Sequence, residues 1–339
     1  MRGVVMYGPG DVRVEERERP RIVEPTDAIL RVTASSICGS DLWPYRGIGE
    51  MYGPTPKGHE YVGIVEEVGD AVSTIKRGQF VVGSPFASDN TCEICQAGYQ
   101  THCVQRQRAA ATGAQSEFVR IALADGTLVA TPDQPDAELI PSLLAASDVL
   151  GGGWFAAAAQ AGPGKTVAVV GDGAVGLLAV LAAKHLGAER IIAMSRHVPR
   201  QNLAREFGAT DIVEERGDAG VARVKELTGG FGAHSVVEAV GTKESLTQAI
   251  RSTRPGGHLG YVGVFHDEEL PINDLFFSGI NLHGGPAPVR RFLPELIDLI
   301  WNRRIDPGKV FDLELPLDQA AAGYEAMDLR QAIKVLLRS

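Results

Sequence analysis

The chain has 339 residues, enough for a large core and two domains. Its 44% hydrophobic and 22% charged residues are those of an ordinary globular protein, which excludes a disordered or fibrous chain. A net charge of −9 with no long basic run argues against a general nucleic-acid binder, and the most apolar stretch, residues 166–183, carries Asp172 among Gly171, Gly173 and Gly176, which argues against a membrane span.

The first residues lack the apolar core of a signal peptide, so the expected compartment is the cytoplasm. Of only four cysteines, Cys92, Cys95 and Cys103 crowd together and Cys38 stands apart. In a reducing compartment that clustering favours metal binding over disulfides.

Residues 1–85 read as β-rich. Short strands are expected at 12–15, 28–33, 61–68 and 79–83, with Gly69-Asp70 and Arg77-Gly78 as turns. This pattern predicts a small, partly open barrel. Between two of these strands lies the segment Ser36–Glu60. It holds the thiol of Cys38, the imidazole of His59 and the carboxylate of Glu60, with Gly39 and Gly58 beside them. Cys and His suit zinc, and a catalytic zinc has three protein ligands and one open position, so a third ligand must come from elsewhere. Taken alone, Cys38 reads more readily as a buried thiol and His59 as a satisfied polar residue.

Residues 89–103 form a second constellation. Cys92 and Cys95 are a Cys-x-x-Cys pair, Cys103 follows eight positions on, and Asp89 precedes by three. Three thiolates and one carboxylate can hold a structural zinc in a loop, although four thiolates are more usual. His102, adjacent to Cys103, is a poor substitute ligand. The alternative is a loop with free thiols and no metal.

From Leu139 the pattern turns helical and runs through Gly151, Gly152 and Gly153 into Trp154. Asp148 interrupts it, either as a surface acid or as the missing third ligand. A βαβ unit follows. Residues 166–170 are an unbroken apolar run, as in a buried parallel strand. Gly171-Asp172-Gly173-Ala174-Val175-Gly176 comes next, then a helix over 177–186 and a strand over 190–195. Between strand and helix, Gly-x-Gly-x-x-Gly points to a dinucleotide: the glycines allow a tight turn and close approach to pyrophosphate, and the helix N-terminus favours its charge.

Further strands are expected at 211–214, 234–240, 258–264 and 281–283, separated by helices at 219–227 and 243–252. The alternation predicts a six-stranded doubly wound sheet. A helix over 292–303, short strands and a last helix over 319–327 are expected to pack back on the first domain. The domains are therefore 1–150 with 288–339, and 151–287.

An unphosphorylated ribose is held by Asp or Glu at the end of the second strand. Here that end reads Met194-Ser195-Arg196-His197, with no acid. A hydroxyl and a guanidinium suit a 2′-phosphate, so the expected cofactor is NADP rather than NAD.

In combination, Cys38-Gly39-Ser40-Asp41, Gly58-His59-Glu60, the spacing of Cys92, Cys95 and Cys103, Ser147-Asp148-Val149 and the glycine fingerprint resemble the zinc-dependent medium-chain alcohol dehydrogenases over essentially the whole chain. The resemblance implies an α/β fold. Its parts are a GroES-like, β-rich catalytic domain and a Rossmann domain with a doubly wound parallel sheet, with the active site in the cleft between them. It also implies that Cys38, His59 and Asp148 hold the catalytic zinc and that Glu60 is a close carboxylate able to enter the coordination sphere. Asp41 would fix the His59 tautomer, Ser40 would hydrogen-bond the substrate oxygen and pass its proton outward, and Val175 would pack behind the nicotinamide. Zinc then serves as a Lewis acid on an alcohol or carbonyl oxygen, and hydride passes between substrate carbon and nicotinamide. The expected protein is an NADP-dependent alcohol dehydrogenase or carbonyl reductase acting on a small molecule, without nucleic acid or membrane, as a homodimer or homotetramer.

Three positions depart from the family pattern. Trp43 stands where many relatives have a relay histidine, Gly151-Gly152 replaces a usual Pro-Thr, and Asp89 replaces the first structural cysteine. Two other readings compete. One is a zinc-independent quinone or enoyl reductase of the same superfamily, and the other is a non-catalytic NADPH-binding scaffold.

Overall fold

The computed structural model describes residues 1–49, 53–110, 112–266 and 269–339. The chain forms two compact units, one of Met1–Asp148 with Pro288–Ser339 and one of Val149–Ala287.

The first unit is built on a mainly antiparallel sheet. Ala28–Ser36 is its central strand, with Tyr61–Val68, then Phe80–Gly83 and Leu128–Ala130 on one side. Val335–Arg338 and then Leu313–Pro316 lie on the other, and Phe118–Ile121 pairs along the first half of the central strand. Leu30, Val32, Tyr61, Val65, Val119 and Ile121 form one apolar core. A second core joins Met6, Ile37, Leu42, Val335 and Leu337 with Tyr324, which comes from the late helix Ala320–Asp328. The central strands Ala28–Ser36 and Phe80–Gly83 are buried along most of their length and Tyr61–Val68 mainly over its first half, whereas Phe118–Ile121 and Leu313–Pro316 alternate between more and less buried positions.

Two registers place the chemistry. Ser35 lies opposite Tyr61, so Glu60 and His59 emerge beside Ser36 and Cys38. On the other edge Ser36 lies opposite Leu336, and extending that register by two residues sets Lys334 against Cys38. Gly58 makes the approach possible: its φ is +99°, and a Cβ there would sit 2.4 Å from the Gln115 backbone nitrogen.

The second unit is a six-stranded parallel sheet. Its spatial order is Asp211–Val213, Arg190–Met194, Thr166–Val170, Ala233–Glu238, Thr253–Tyr261 and Asn281–Gly284. That is the doubly wound order in which the third, second, first, fourth, fifth and sixth strands are neighbours. With the antiparallel first unit, the chain has the expected GroES-like and Rossmann architecture. The helix Ala174–His185 starts directly after the glycine turn.

Several details differ from the sequence reading. Arg2–Gly8 is a strand, paired with Asp11–Glu16. Val198–Glu206 is a helix that its polar sequence does not announce, begun by Pro199 in the first turn, where a missing N–H costs nothing. The fifth Rossmann strand starts at Thr253 rather than 258, because the preceding helix ends at Ser252 and runs straight into pairing with Ala233. No single helix among the described residues is long and apolar enough to cross a membrane.

Candidate active site

Cys38, His59, Glu60 and Asp148 converge: one ligand atom from each lies within 4.8 Å of the others. Cys38 caps the short turn Gly39–Asp41. Its Sγ is 3.6 Å from Asp148 Oδ2, and His59 Nε2 is 3.3 Å from the same oxygen. Asp148 follows the helix Ile140–Ala146, which stops where the Ser147 hydroxyl donates back to the Leu144 carbonyl at 2.6 Å.

Glu60 is fully buried and, although it lies among the other three donors, it is engaged by partners of its own. Lys334 Nζ lies 2.8 Å from both of its oxygens, and the Ser36 hydroxyl donates to Oε2. Lys334 is 1% exposed and donates also to the Ile37 carbonyl at 3.1 Å. Burial works against an ammonium, but the charge and hydrogen bond of Glu60 together with the Cys38 and Asp148 charges leave the Lys334 pKa above its ordinary value.

The other donors show what their crowding costs. Burial and the neighbouring Glu60 charge push the Cys38 thiol up. Burial pulls the His59 imidazole down, but Cys38 and Asp148 more than reverse this and leave it well above its ordinary value. A divalent cation among these groups would invert that balance by favouring thiolate, neutral imidazole and carboxylate together. One sulfur, one ring nitrogen and one carboxylate oxygen, with Glu60 otherwise engaged, fit a three-ligand zinc with an open position.

Asp41 is 5% exposed and accepts the Cys38 N–H at 3.1 Å, while Lys57 Nζ lies 3.3 Å from its other oxygen. It thus pins the Cys38 turn, whereas the resemblance implies a partner that fixes the His59 tautomer, and its charge raises the imidazole pKa. Ser40 is half-buried on that turn. Trp43 lies in the next short helix, Leu42–Tyr45, with the Arg46 guanidinium 6.0 Å from its ring centroid.

The second constellation also closes. Ligand atoms of Asp89, Cys92, Cys95 and Cys103 lie within 4.8 Å of one another. Backbone amides prepare the lobe for negative charge: Asp89 N and Gln105 N donate to Cys103 Sγ at 3.4 and 3.3 Å, and Thr91 N and Cys92 N to Asp89 Oδ1 at 2.9 and 3.1 Å. Burial pushes the Asp89 carboxyl up, but these amides and the adjacent thiols hold it at about 2. Three sulfurs and an ionised carboxylate fit a tetrahedral zinc.

In the second unit the glycine loop has the shape its spacing predicts. Gly171 has a φ of +122°, and a Cβ on Gly176 would lie 2.0 Å from the Gly171 carbonyl oxygen. A Cβ on Gly173, at the helix N-cap, would meet nothing within 4 Å, so the loop leaves room over a helix N-terminus for a phosphate. Val175 is in the first turn of that helix, and its Cγ1 is 3.7 Å from a Cβ built on Gly152.

Ser195 is fully buried and Arg196 exposed at the end of the second strand. Here the structure adds three residues that the sequence reading missed. Asp172 lies beside Ser195, whose hydroxyl donates to it at 2.7 Å, and Arg200 and Arg216 lie close by. Lys334 was missed as well. Its one signal is a lone charge leading into the apolar strand Val335–Arg338.

A doubly wound nucleotide-binding unit joined to a β-rich unit carrying two metal-fit donor sets defines a two-domain, metal-dependent dehydrogenase. The profile of the alcohol dehydrogenase GroES-like domain matches residues 24–133, and that of the zinc-binding dehydrogenases matches residues 174–302. Zinc-type alcohol dehydrogenase B of Aspergillus flavus is 34% identical, over 100% of this chain and 81% of its own. The NADP-dependent isopropanol dehydrogenase of Thermoanaerobacter brockii is 34% identical over 91% of each chain. Among solved structures, the alcohol dehydrogenase TADH from Thermus sp. ATN1 superposes with a TM-score of 0.91 at 33% identity, covering 100% of this chain and 99% of that one. The chain belongs to the zinc-dependent medium-chain alcohol dehydrogenase family. It is an oxidoreductase of that family, whose chemistry uses zinc and a nicotinamide cofactor.

Proposed function

We propose that this protein transfers hydride between NADP(H) and a small alcohol and its ketone or aldehyde, at a zinc held by Cys38, His59 and Asp148. The observation that carries the reading is the convergence of those three donors while Lys334 and Ser36 engage the fourth, Glu60. Zinc supplies a Lewis acid for the substrate oxygen, and the nicotinamide supplies or receives the hydride.

The chain's own residues do the rest. Asp41 pins the turn that carries both Cys38 and Ser40. Ser40 Oγ takes the substrate hydroxyl's proton, which leaves by the cofactor ribose or water because Trp43 offers no basic nitrogen. Gly171, Gly173 and Gly176 admit the pyrophosphate to the helix N-terminus, and Val175 packs behind the nicotinamide. Ser195 and Arg196 favour a 2′-phosphate, and the NADP-dependent relative from Thermoanaerobacter brockii supports that preference. Asp89, Cys92, Cys95 and Cys103 hold a second, structural zinc. Four cysteines of which none forms a disulfide suit a reducing cytoplasm.

Replacing Cys38 by Ala tests the reading. We expect loss of at least about a thousandfold in alcohol oxidation with NADP, one zinc fewer per chain, and unchanged circular dichroism. Full activity in the variant, or in metal-free protein, would turn the assignment towards a zinc-independent quinone or enoyl reductase. NAD used as well as NADP by the unaltered protein would overturn the cofactor preference.

A further inference from the structure

The end of the second Rossmann strand has no acid in its own sequence, yet the fold brings one there. Asp172, the residue between the first two glycines of the fingerprint, is 19% exposed at its side chain. Its Oδ2 accepts the Ser195 hydroxyl at 2.7 Å, and its Oδ1 lies 3.5 Å from Arg200 Nη1. The same Arg200 nitrogen donates to the Asp172 carbonyl at 3.0 Å, so this arginine is tied to one residue twice.

Arg216 reaches the same place from the end of the third strand. Among the described residues its guanidinium makes long hydrogen bonds, at 3.5 Å to the carbonyls of Met194 and Glu215. Burial lowers its pKa, the Asp172 charge raises it, and the Arg196 charge lowers it further, so all three groups share one electrostatic neighbourhood. The nearby Glu214 is occupied by the Gln201 amide at 2.8 Å. Asp172 is therefore the acid that directly touches Ser195 and Arg200.

Two consequences follow from charge. A carboxylate hydrogen-bonded at the end of the second strand is an acceptor for ribose hydroxyls. The same carboxylate repels a 2′-phosphate, which carries close to two negative charges, and competes with it for Ser195 and Arg200. Building on the NADP reading above, we propose that Asp172 is a specificity-determining residue of the ribose pocket. It accepts the hydroxyls of an unphosphorylated ribose and holds back Ser195 and Arg200, so it limits the preference for a 2′-phosphate that Arg196, Arg200 and Arg216 create.

Binding of adenosine 2′,5′-bisphosphate and of 5′-AMP, measured by calorimetry on the zinc-loaded full chain, tests this without turnover. In Asp172→Asn the amide keeps the Ser195 contact but not the charge. The ratio of AMP to bisphosphate dissociation constants is expected to rise about tenfold or more, with bisphosphate tighter and AMP weaker. Arg200→Gln is expected to lower that ratio by a similar factor while AMP binding holds. Should Asp172→Asn not fold, Asp172→Ser keeps a hydroxyl partner for Ser195 and is expected to move the ratio the same way. A ratio unchanged within about twofold, or both fragments weakened alike, overturns the proposal and leaves Asp172 as a brace for the loop. Tighter binding of AMP than of bisphosphate by the unaltered protein would instead overturn the NADP preference, and the shift in Asp172→Asn would still judge Asp172.

Discussion

Asp89, Cys92, Cys95 and Cys103 come from residues 89–103, whereas Cys38, His59, Glu60 and Asp148 come from three separate segments and rely on Lys334 from near the C-terminus. In the lobe the support is local: amides at 89, 91, 92 and 105 point at a sulfur or at Asp89 within the same loop. At the other centre, the support comes from the pairing of the central strand with neighbours on both sides. A local cluster can be set by a short peptide that turns on itself. A long-range cluster exists only when the sheet has its correct register, because a one-residue slip turns every side chain to the other face.

That contrast breaks most visibly at Lys334. Replacing it by Met leaves Glu60 as an unpaired buried carboxylate, and removing one partner of such a pair costs about 3–5 kcal/mol. We expect a loss of that size in urea unfolding, with most of it restored in the double variant Lys334→Met with Glu60→Gln, where no buried charge is stranded. A loss below about 1 kcal/mol would show that Glu60 does not need Lys334. The lobe is expected to keep its metal in both variants, because none of its supports passes through Lys334.

The lobe breaks at Asp89. Asp89→Ala removes a donor and the acceptor of two backbone N–H groups. The zinc content is expected to fall from about two to about one per chain, with alcohol oxidation falling less than about tenfold. Asp89→Cys restores the four-thiolate set and the second zinc. Metal analysis decides the case: an unchanged zinc count in Asp89→Ala removes Asp89 from the ligand set.

The same contrast explains what could be read from the chain. The lobe was legible because its spacing is its geometry. The glycine turn was legible because strand, Gly-x-Gly-x-x-Gly and helix are consecutive, and Cys38, His59 and Asp148 were candidates by residue type and resemblance. Lys334 was not. A lone charge leading into an apolar strand does not by itself distinguish a buried lysine from a solvated one, and it is the pairing of Leu336 with Ser36 that does so. Asp172 was visible as a letter, but its meaning lies in reaching Ser195 on another strand. Residues 194–197 carry no acid along the chain; the fold supplies one across it.

Asp125 sharpens the comparison by separating the worth of a carboxylate held by amides from the worth of one beside thiols. Burial pushes it up, yet the Thr74 hydroxyl and the backbone amides of Ser73 and Thr74 bring it to about 2, as low as Asp89, with no sulfur among its partners. It accepts from Thr74 Oγ1 at 2.6 Å and from Ser73 N at 2.8 Å. A folded-state pKa below the ordinary 3.8 means that the unfolded chain binds the proton more tightly. The stability from Asp125 is therefore complete above about pH 4 and is lost as pH falls towards 2. Discounted for its partial exposure, it amounts to about 1–2 kcal/mol. Asp125→Asn should cost that much in urea unfolding at pH 6, with less difference at pH 3, and should leave the zinc count unchanged. A cost that does not shrink at low pH would trace the effect to packing rather than to charge, and a lost zinc would tie the lobe to a residue outside its own loop.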